Sequence, residues 1–261
     1  MTGAVAVSLA VPLSVALVVA VAVVVVVVIA GATVFAPRLG LASPLLLVAV
    51  VAGVVLGGRL GFVLFYEPGY YLSHPAQIPV LWHGGMSFHG GFLGVVLAMV
   101  FFARKYKKTA FQTLDFIAPC VPTGLMFGRF GNFIGGELYG RPVQDPSYPF
   151  GMIFPTDPLG LVRHPSQIYQ ALCEGLILFI VLWWFSSKPR PRMAVSALFL
   201  VGYGIARFFM EFFREPDADQ GYILFGWMTK GQILSFPMII IGLWMIWYAY
   251  RKNIYDWQLK K

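Results

Sequence analysis

The sequence predicts an all-α fold, a polytopic bundle of membrane-spanning helices. Of its 261 residues, 59% are hydrophobic and only 11% are charged, and the mean hydropathy of +0.76 lies outside the range of ordinary soluble domains. Crossing a hydrocarbon layer of roughly 30 Å takes about 20 residues of helix. We expect seven transmembrane helices, at about 4–30, 43–66, 88–104, 117–135, 166–186, 194–213 and 231–250.

The first of these stretches is the least informative. Residues 1–56 are almost featureless, and the run VAVAVVVVVVIAGA carries no polar side chain. A cleaved signal peptide is the alternative, but the stretch lacks a basic leading region and exceeds the usual apolar core of about 7–15 residues. We therefore interpret it as a helix, and residues 1–261 as one integral membrane domain with an atypical, low-complexity first region.

Basic residues set the predicted orientation. They cluster after the third, fifth and seventh spans, as Arg104, Lys105, Lys107 and Lys108, as Lys188, Arg190 and Arg192, and as Arg251, Lys252, Lys260 and Lys261. The positive-inside rule makes this side cytoplasmic, so the amino terminus is predicted outside and the carboxy terminus in the cytoplasm. The formal charge of +8 then reports topology and contact with anionic membrane lipids, and no nucleic-acid-binding motif is visible.

Cys120 and Cys173 both fall inside predicted spans, 53 residues apart in the sequence. No metal-ligand spacing surrounds either of them. We interpret them as buried thiols rather than a disulfide or a metal pair.

Unusual polar residues fall at the outer ends of four predicted spans. Ionisable groups at membrane depth are costly and need partners. The residues are His89; Arg129, Asn132 and Glu137; His164, Ser166 and Gln167; and Tyr203, Arg207 and Glu211. Since the last three are four residues apart, they lie on one helical stripe. The sequence therefore predicts a polar site facing outward.

Five of these residues also have a structural interpretation. Arg207 and Glu211 would form an intrahelical salt bridge, and Arg129 would cap the end of its helix. His89 would be an interfacial histidine, and Asn132 would link helices through its amide.

Two further charges lie outside this group. Arg59 has no acidic residue at helical spacing within its own span, so it requires a partner elsewhere or a lipid headgroup. Glu174 lies deeper in its span, and both a structural ion pair and a role in the site remain open for it.

The residue types favour phosphate chemistry. A guanidinium offers two parallel donors that match phosphate, and its charge acts strongly in a pocket of low dielectric constant. A histidine has a pKa suited to accepting a proton from a thiol or hydroxyl. At this depth a phospholipid is the expected source of phosphate, but the residues alone do not identify a reaction.

At these residues the chain closely resembles the prolipoprotein diacylglyceryl transferase family. The resemblance runs from about Gly57 to Tyr250, in that family's order, through LGGRLGFVLFY, GGMSFHGG, DFIAP, GRFGNFIGGELYG, RHPSQIYQ, KPRP, GYGIARFFMEFFREPDA and GQILSFPM. It implies seven transmembrane helices in the bacterial inner (plasma) membrane, with the active site on the periplasmic side. It also implies transfer of diacylglycerol from phosphatidylglycerol to the lipobox cysteine of a prolipoprotein signal peptide. No metal or other cofactor is implied.

The resemblance also implies roles for individual residues. Arg129 and Arg207 match the family's arginines that hold the headgroup and stabilise the departing phosphate, and His89 matches its proposed base. Tyr203 joins them as a catalytic candidate. The substrate-binding or supporting candidates are Asn132, Glu137, Gly140, Glu211, Arg59 and His164.

The chain departs from the family in two places. Residues 1–56 lack the family's His-Trp-Tyr-Gly motif, and Gly135 stands where the family usually has Asn. Two other function classes remain open from the sequence, namely an outward-facing transporter or flippase of anionic lipid and an inactive lipid-binding relative. Charges at the midplane and broken helices with inverted repeats would favour transport, but the polar groups lie toward one side and no repeat is evident.

Overall fold

The computed structural model describes residues 44–81, 85–145, 147–216 and 222–255, with only the backbone described at residues 44, 47, 88 and 89. The predicted first span, 4–30, lies outside these residues. The prediction for residues 1–43 therefore stays a prediction.

The described residues are mostly helical. The helices are α1 (Pro44–Phe65), α2 (Pro68–Ser73), α3 (Phe88–Lys105), α4 (Ala110–Ile117), α5 (Val121–Ile134), α6 (Ser166–Gln170), α7 (Leu178–Ser186), α8 (Ala194–Met210) and α9 (Lys230–Lys252). A π-helical segment, Ala171–Ile177, joins α6 to α7, and short 3-10 turns occupy Pro75–Gln77 and Ala118–Cys120. Two short antiparallel strands, β1 (Met152–Ile153) and β2 (Val162–Arg163), pair Met152 with Arg163.

Three of the described helices are long and apolar enough to cross a membrane, judged by length and composition. They are Val48–Phe65, Ser166–Ser186 and Lys230–Lys252, and Ala194–Met210 is a shorter apolar helix. These four match the predicted spans 43–66, 166–186, 231–250 and 194–213. Apolar side chains such as Leu60, Ile240 and Trp247 lie exposed on them, as expected for surfaces that face lipid.

The α-helix within the predicted span 117–135 is shorter than expected. A 3-10 turn at Ala118–Cys120 precedes it, and the α-helix begins only at Val121. Pro119 and Pro122 account for the break, because a proline lacks the backbone N–H that a continuous helix requires and is tolerated in a helix's first turn.

The described chain falls into two compact units, one within 44–117 and the other covering 118–254. In the first unit, glycines of α1 and α3 bring the two backbones into direct contact. A Cβ added at Gly94 would overlap the carbonyl oxygen of Gly53 and lie 2.9 Å from the Cα of Gly57. Such close approach is the usual basis of helix association in lipid, where apolar side chains gain little from contact with one another.

In the second unit, α8 and α9 pack along their length, and Ala118, Leu178, Leu182 and Val195 form a buried apolar cluster. Helix α9 begins with a capping box. The Thr229 side chain accepts from the Gln232 N–H, and the Gln232 side chain accepts from the Thr229 N–H. This cap satisfies backbone donors that the first helical turn leaves without partners.

We expect Gly94→Ala to destabilise the protein, because a methyl group at this position has no space against α1. Overpacking of this kind costs about 1–3 kcal/mol, which would lower the thermal unfolding midpoint of the detergent-solubilised protein. Gly91→Ala, on the same helix, is the control, because its added Cβ would meet the nearest described atom at 3.4 Å. Equal losses in the two variants would contradict this packing.

Candidate functional site

Two arginines from different helices face one buried carboxylate. Arg129 lies on α5 and Arg207 on α8, and Glu174 lies between them on the π-helical segment. One Glu174 oxygen is 3.7 Å from Nη2 of Arg129, and the other is 3.6 Å from Nη1 of Arg207. The Glu174 side chain is wholly buried, whereas those of Arg129 and Arg207 keep 19% and 13% of their surface exposed. The two cations are therefore held together but remain accessible.

The polar stripe that the sequence predicts on α8 adds Glu211 to these three charged residues. Arg207 Nη2 is 2.9 Å from a Glu211 oxygen, and Arg214 Nη1 is 3.8 Å from the other. The intrahelical salt bridge is therefore confirmed. Arg207 Nη1 also donates to the Gln170 side-chain oxygen at 3.0 Å.

The arginine cluster, defined as Arg129, Glu174, Arg207, Glu211 and Arg214, carries one net positive charge. Its carboxylates are buried, and the surroundings are apolar helices. Charge interactions are stronger in such surroundings than in water. The cluster can therefore attract an anion, while most of its own charge is compensated internally.

A local irregularity of the helix carries the central carboxylate. Glu174 lies in the π-helical segment, where one extra residue per turn changes which side chains face a neighbour. π-Helical turns are rare and occur frequently at functional sites. Beside Glu174, Gly175 lies against Met126 of α5, where an added Cβ would clash with the Met126 side chain. This glycine lets the π-helical segment approach the helix that carries Arg129.

Tyr203 and Asn132 lie close in sequence to the two arginines. Tyr203 precedes Arg207 by one helical turn, its ring stacks on Phe199 at 5.8 Å, and it lies within electrostatic range of Arg129, Arg207 and Glu174. Asn132 is half-buried on α5, about one turn after Arg129. Their roles in binding remain predictions.

Glu137 and Gly140 contribute through the backbone of the loop that follows α5. The Glu137 side chain is exposed, and its carbonyl accepts from Nε2 of Gln167 at 2.7 Å. The N–H of Gly140 donates to the His164 carbonyl at 2.9 Å, and Gly140 forms a bridge with Arg214. A Cβ at Gly140 would clash with the His164 carbonyl oxygen and lie 2.6 Å from that of Phe213. Gly140 is therefore required where two backbone segments meet.

A second ion network fixes the same loop, and sequence reasoning missed it. Asp157 accepts from Nε and Nη2 of Arg163, at 2.7 and 3.2 Å, and from the backbone N–H of Leu159 and Leu161. Arg163 also donates to Glu215 and to the Gly140 carbonyl. The hydrogen bonds from Arg163, more than any other contact, hold the pKa of Asp157 below its ordinary value.

His164 lies among aromatic rings. The rings of Tyr148, Tyr169 and Phe213 lie 5.2–6.0 Å from its imidazole, and Nδ1 is 3.4 Å from the Tyr169 hydroxyl. Burial lowers the pKa of His164, which favours the neutral imidazole. Substrate binding by His164 stays a prediction.

Arg59 and His89 belong to the other compact unit. Arg59 is buried on α1 and donates to the carbonyls of Gln77, Ile78 and Gly85 at 2.7–3.0 Å. These contacts supply the partner that the sequence required, and they tie Gln77, Ile78 and Gly85 to α1. The His89 side chain lies outside the described residues, so its predicted role as a base is untested.

The cysteines differ in burial. Cys120 is buried, as predicted, but Cys173 is only half-buried. The neighbouring Leu172 and Ile177 are also exposed, because this side of the π-helical segment faces outward. Within the described residues no group of three His, Cys, Asp or Glu side chains is arranged to hold a metal ion.

The sequence contains a spacing signal for Glu174. Gln167, Gln170 and Glu174 are spaced by three and four residues within an apolar span, which marks a polar stripe on one helix face. Arg163 likewise stood directly before His164 in the RHPSQ motif. The two arginine partners of Glu174, in contrast, lie 45 and 33 residues away in the sequence. Arg163 pairs with Asp157, six residues away, and with Glu215, 52 residues away.

Comparisons with known proteins agree with the resemblance. The sequence profile of the family described as prolipoprotein diacylglyceryl transferase matches residues 5–248. A protein of Acinetobacter baumannii named phosphatidylglycerol-prolipoprotein diacylglyceryl transferase is 78% identical over 209 residues, 80% of this chain and 77% of that protein. Proteins of the same name from Acinetobacter baylyi and Psychrobacter arcticus are 78% identical over 205 residues and 60% identical over 228. These alignments cover 78% of this chain each, and 75% and 77% of the two relatives.

Gly140→Ala should disrupt the loop, whereas Gly135→Ala should be tolerated. An added Cβ at Gly135 would lie 3.4 Å from the Gly131 carbonyl oxygen and 3.7 Å from the Glu137 side chain, and Gly135 has a negative φ that any residue adopts. Limited proteolysis and the thermal midpoint would compare the two variants. Equal proteolytic resistance would contradict the role assigned to Gly140, and a disrupted Gly135→Ala variant would show that this position requires glycine.

Asp157 should contribute stability that depends on pH. Because its folded-state pKa is depressed, the contribution is complete above the ordinary aspartate pKa and is lost as the pH falls through the folded value. Asp157→Asn should therefore lower the unfolding midpoint most at neutral pH, and the difference from wild type should shrink in acid. Unfolding scans across this pH range measure it, and a pH-independent difference would count against the Asp157–Arg163 pair.

Proposed function

This chain belongs to the prolipoprotein diacylglyceryl transferase family, and we propose that it catalyses the transfer for which its relatives are named. Phosphatidylglycerol would donate its diacylglyceryl group to the lipobox cysteine of a prolipoprotein, the first step of bacterial lipoprotein maturation. The products would be a thioether-linked prolipoprotein and glycerol phosphate. The convergence of Arg129 and Arg207 on one buried point supports this function most directly.

In the proposed reaction, the thiolate of the lipobox cysteine attacks the glycerol carbon that bears the phosphate ester. The new C–S bond replaces the C–O bond, and the electron pair of that bond leaves with glycerol phosphate. The thiol proton passes to a base, for which His89 is the candidate. Negative charge therefore grows on the phosphate oxygen as the bond breaks.

Arg129 and Arg207 would stabilise this growing charge. Their side chains keep some exposed surface next to a net positive charge, so each guanidinium has donors available for a phosphate oxygen. Tyr203 and Asn132 would contact the headgroup, each about one turn from an arginine. Glu211 would hold Arg207 through the 2.9 Å ion pair.

The other site candidates would act through the loops. Gly140 and the Glu137 carbonyl would keep the loop after α5 in place, and His164 would line the substrate's path through its aromatic surroundings. Arg59 would hold the backbone at Gln77, Ile78 and Gly85 through its three hydrogen bonds. We therefore prefer this indirect, structural role for Arg59 over direct binding of the lipid headgroup.

We also propose the topology in which this reaction would run. Residues 1–261 would form one transferase domain with seven transmembrane helices in the bacterial inner membrane, with the amino terminus outside and the carboxy terminus in the cytoplasm. The three basic clusters support this orientation. The site would then face the periplasmic side, where the long polar loops lie.

The function is tested with purified protein reconstituted in vesicles that contain phosphatidylglycerol, to which a lipobox peptide is added. We expect release of glycerol phosphate and a matching gain in peptide mass. Absence of both, under conditions in which the Acinetobacter baumannii relative is active, would refute the proposal. Movement of lipid between leaflets without peptide modification would indicate transport instead.

Arg129→Ala and Arg207→Ala should each reduce turnover by at least about 100-fold, the usual loss when a donor to a developing negative charge is removed. Lysine at either position should restore only part of the turnover, because an ammonium group cannot reproduce the two parallel donors of a guanidinium. Arg190→Ala is the control, since Arg190 contacts the carbonyl and ring of Phe185 at the end of α7, and it should stay active. Full activity in either of the two site variants would contradict phosphate binding by that arginine.

A further inference from the structure

We propose that Glu174 is a positioning residue of this site. Its carboxylate would set the separation of the Arg129 and Arg207 guanidinium groups and limit the positive charge they present, so that the phosphate product is released after each turnover. The inference rests on the proposed function. It concerns a residue for which the sequence left both a structural and a site role open.

The contacts of Glu174 differ from those of a structural ion pair. Its oxygens lie 3.6 and 3.7 Å from the arginine nitrogens, and neither accepts a hydrogen bond from the described residues. By contrast, Asp157 accepts two hydrogen bonds from Arg163 at 2.7 and 3.2 Å. Glu174 therefore attracts both arginines without occupying their donors in hydrogen bonds to itself. Arg207 Nη1 donates one hydrogen to Gln170, but each of these nitrogens carries two hydrogens, so both keep a donor for another acceptor.

Without this carboxylate the two guanidinium groups would repel each other. They come from α5 and α8, which position them independently, and like charges in an apolar environment separate unless an anion lies between them. Glu174 supplies that anion, since each of its oxygens faces one arginine. The arrangement is therefore prepared before substrate binds, which is the condition for efficient electrostatic catalysis.

The same carboxylate also sets the affinity for anions. With Glu174 charged, the arginine cluster carries one net positive charge; with a neutral side chain at this position it would carry two. Extra attraction of this kind acts on bound substrate and bound product as well as on the transition state. Such uniform binding lowers KM without raising kcat, and tight product binding slows release. A bound phosphate would itself lie between the two arginines and replace the missing anion. We therefore expect the loss of the Glu174 charge to tighten phosphate binding and, through slower product release, to lower turnover.

Glu174→Gln keeps the shape of the side chain and removes its charge. We expect glycerol phosphate to bind about tenfold more tightly, the effect of a modest Coulomb term, and kcat to fall by at least about tenfold. KM for phosphatidylglycerol should fall as well. A merely structural role also predicts lower turnover, but with weaker rather than tighter binding of glycerol phosphate.

Glu215→Gln is the matched control. Glu215 is also paired with an arginine of the same compact unit, Arg163, but lies outside the arginine cluster. Glu174→Asp is the second variant, because it keeps the charge and shortens the side chain. It should bind glycerol phosphate as wild type does and still turn over slowly, since the carboxylate no longer reaches both arginines.

Two measurements decide the outcome: steady-state kinetics in vesicles and direct equilibrium binding of radiolabelled glycerol phosphate to the solubilised protein. Wild-type kcat and affinity in Glu174→Gln, or weakened binding in that variant, would overturn the inference. If Glu174→Gln does not fold, Glu174→Asp decides: slow turnover with wild-type affinity supports the role, and any other combination overturns it. An inactive wild type would refute the transferase proposal, and the binding comparison would then test the charge effect alone.

Discussion

Arg129 and Arg207 reach one buried carboxylate from separate helices, and the rest of the site depends on this contact. Charges in an apolar bundle require compensation nearby, because the surrounding side chains cannot solvate them. Glu174 compensates two cations at once, and Glu211 and Gln170 complete the shell around Arg207. The helices that carry these groups must therefore hold a fixed rotation about their axes. Gly175 makes this possible on one side, because its lack of a side chain permits close contact between the π-helical segment and α5.

The protein uses arginines in two ways, and geometry separates them. Arg59 and Arg163 are buried. Arg59 donates to backbone carbonyls, and Arg163 donates two hydrogen bonds to one carboxylate, so both arginines hold loops in place. Arg129 and Arg207 are more exposed, and the carboxylate that they share lies beyond hydrogen-bond distance. Glu174 compensates the charge of these two arginines without accepting hydrogen bonds from them. This arrangement suits a ligand that must both bind and leave. An arginine that holds a loop needs the opposite property.

Sequence patterns predicted the parts of this structure that depend on local spacing. Hydropathy gave the positions of 43–66, 166–186 and 231–250, and the four-residue interval between Arg207 and Glu211 gave their salt bridge. Hydropathy overestimated the length of the helix within 117–135, because Pro119 and Pro122 shorten it. The polar stripe that includes Glu174 is visible in the sequence, but spacing could not identify the partners of Glu174, because both arginines are distant in sequence. Arg59 was correctly expected to need a remote partner, but the carbonyls that bind it lie in a loop without regular periodicity.

The depth of the cluster bears on the choice between a transferase and a transporter. Arg129 lies five residues before the end of α5 and Arg207 three residues before the end of α8, which at the helical rise is within about 8 Å of each end. Both ends lead into the polar loops that contain Gly140 and Arg214. Transporters place their binding sites near the middle of the bilayer, where access alternates between the two sides. A cluster near one end of its helices fits the proposed transferase better than a transporter. In the proposed reaction, the phosphate would meet the arginines near the helix ends while the acyl chains stay in the hydrocarbon layer.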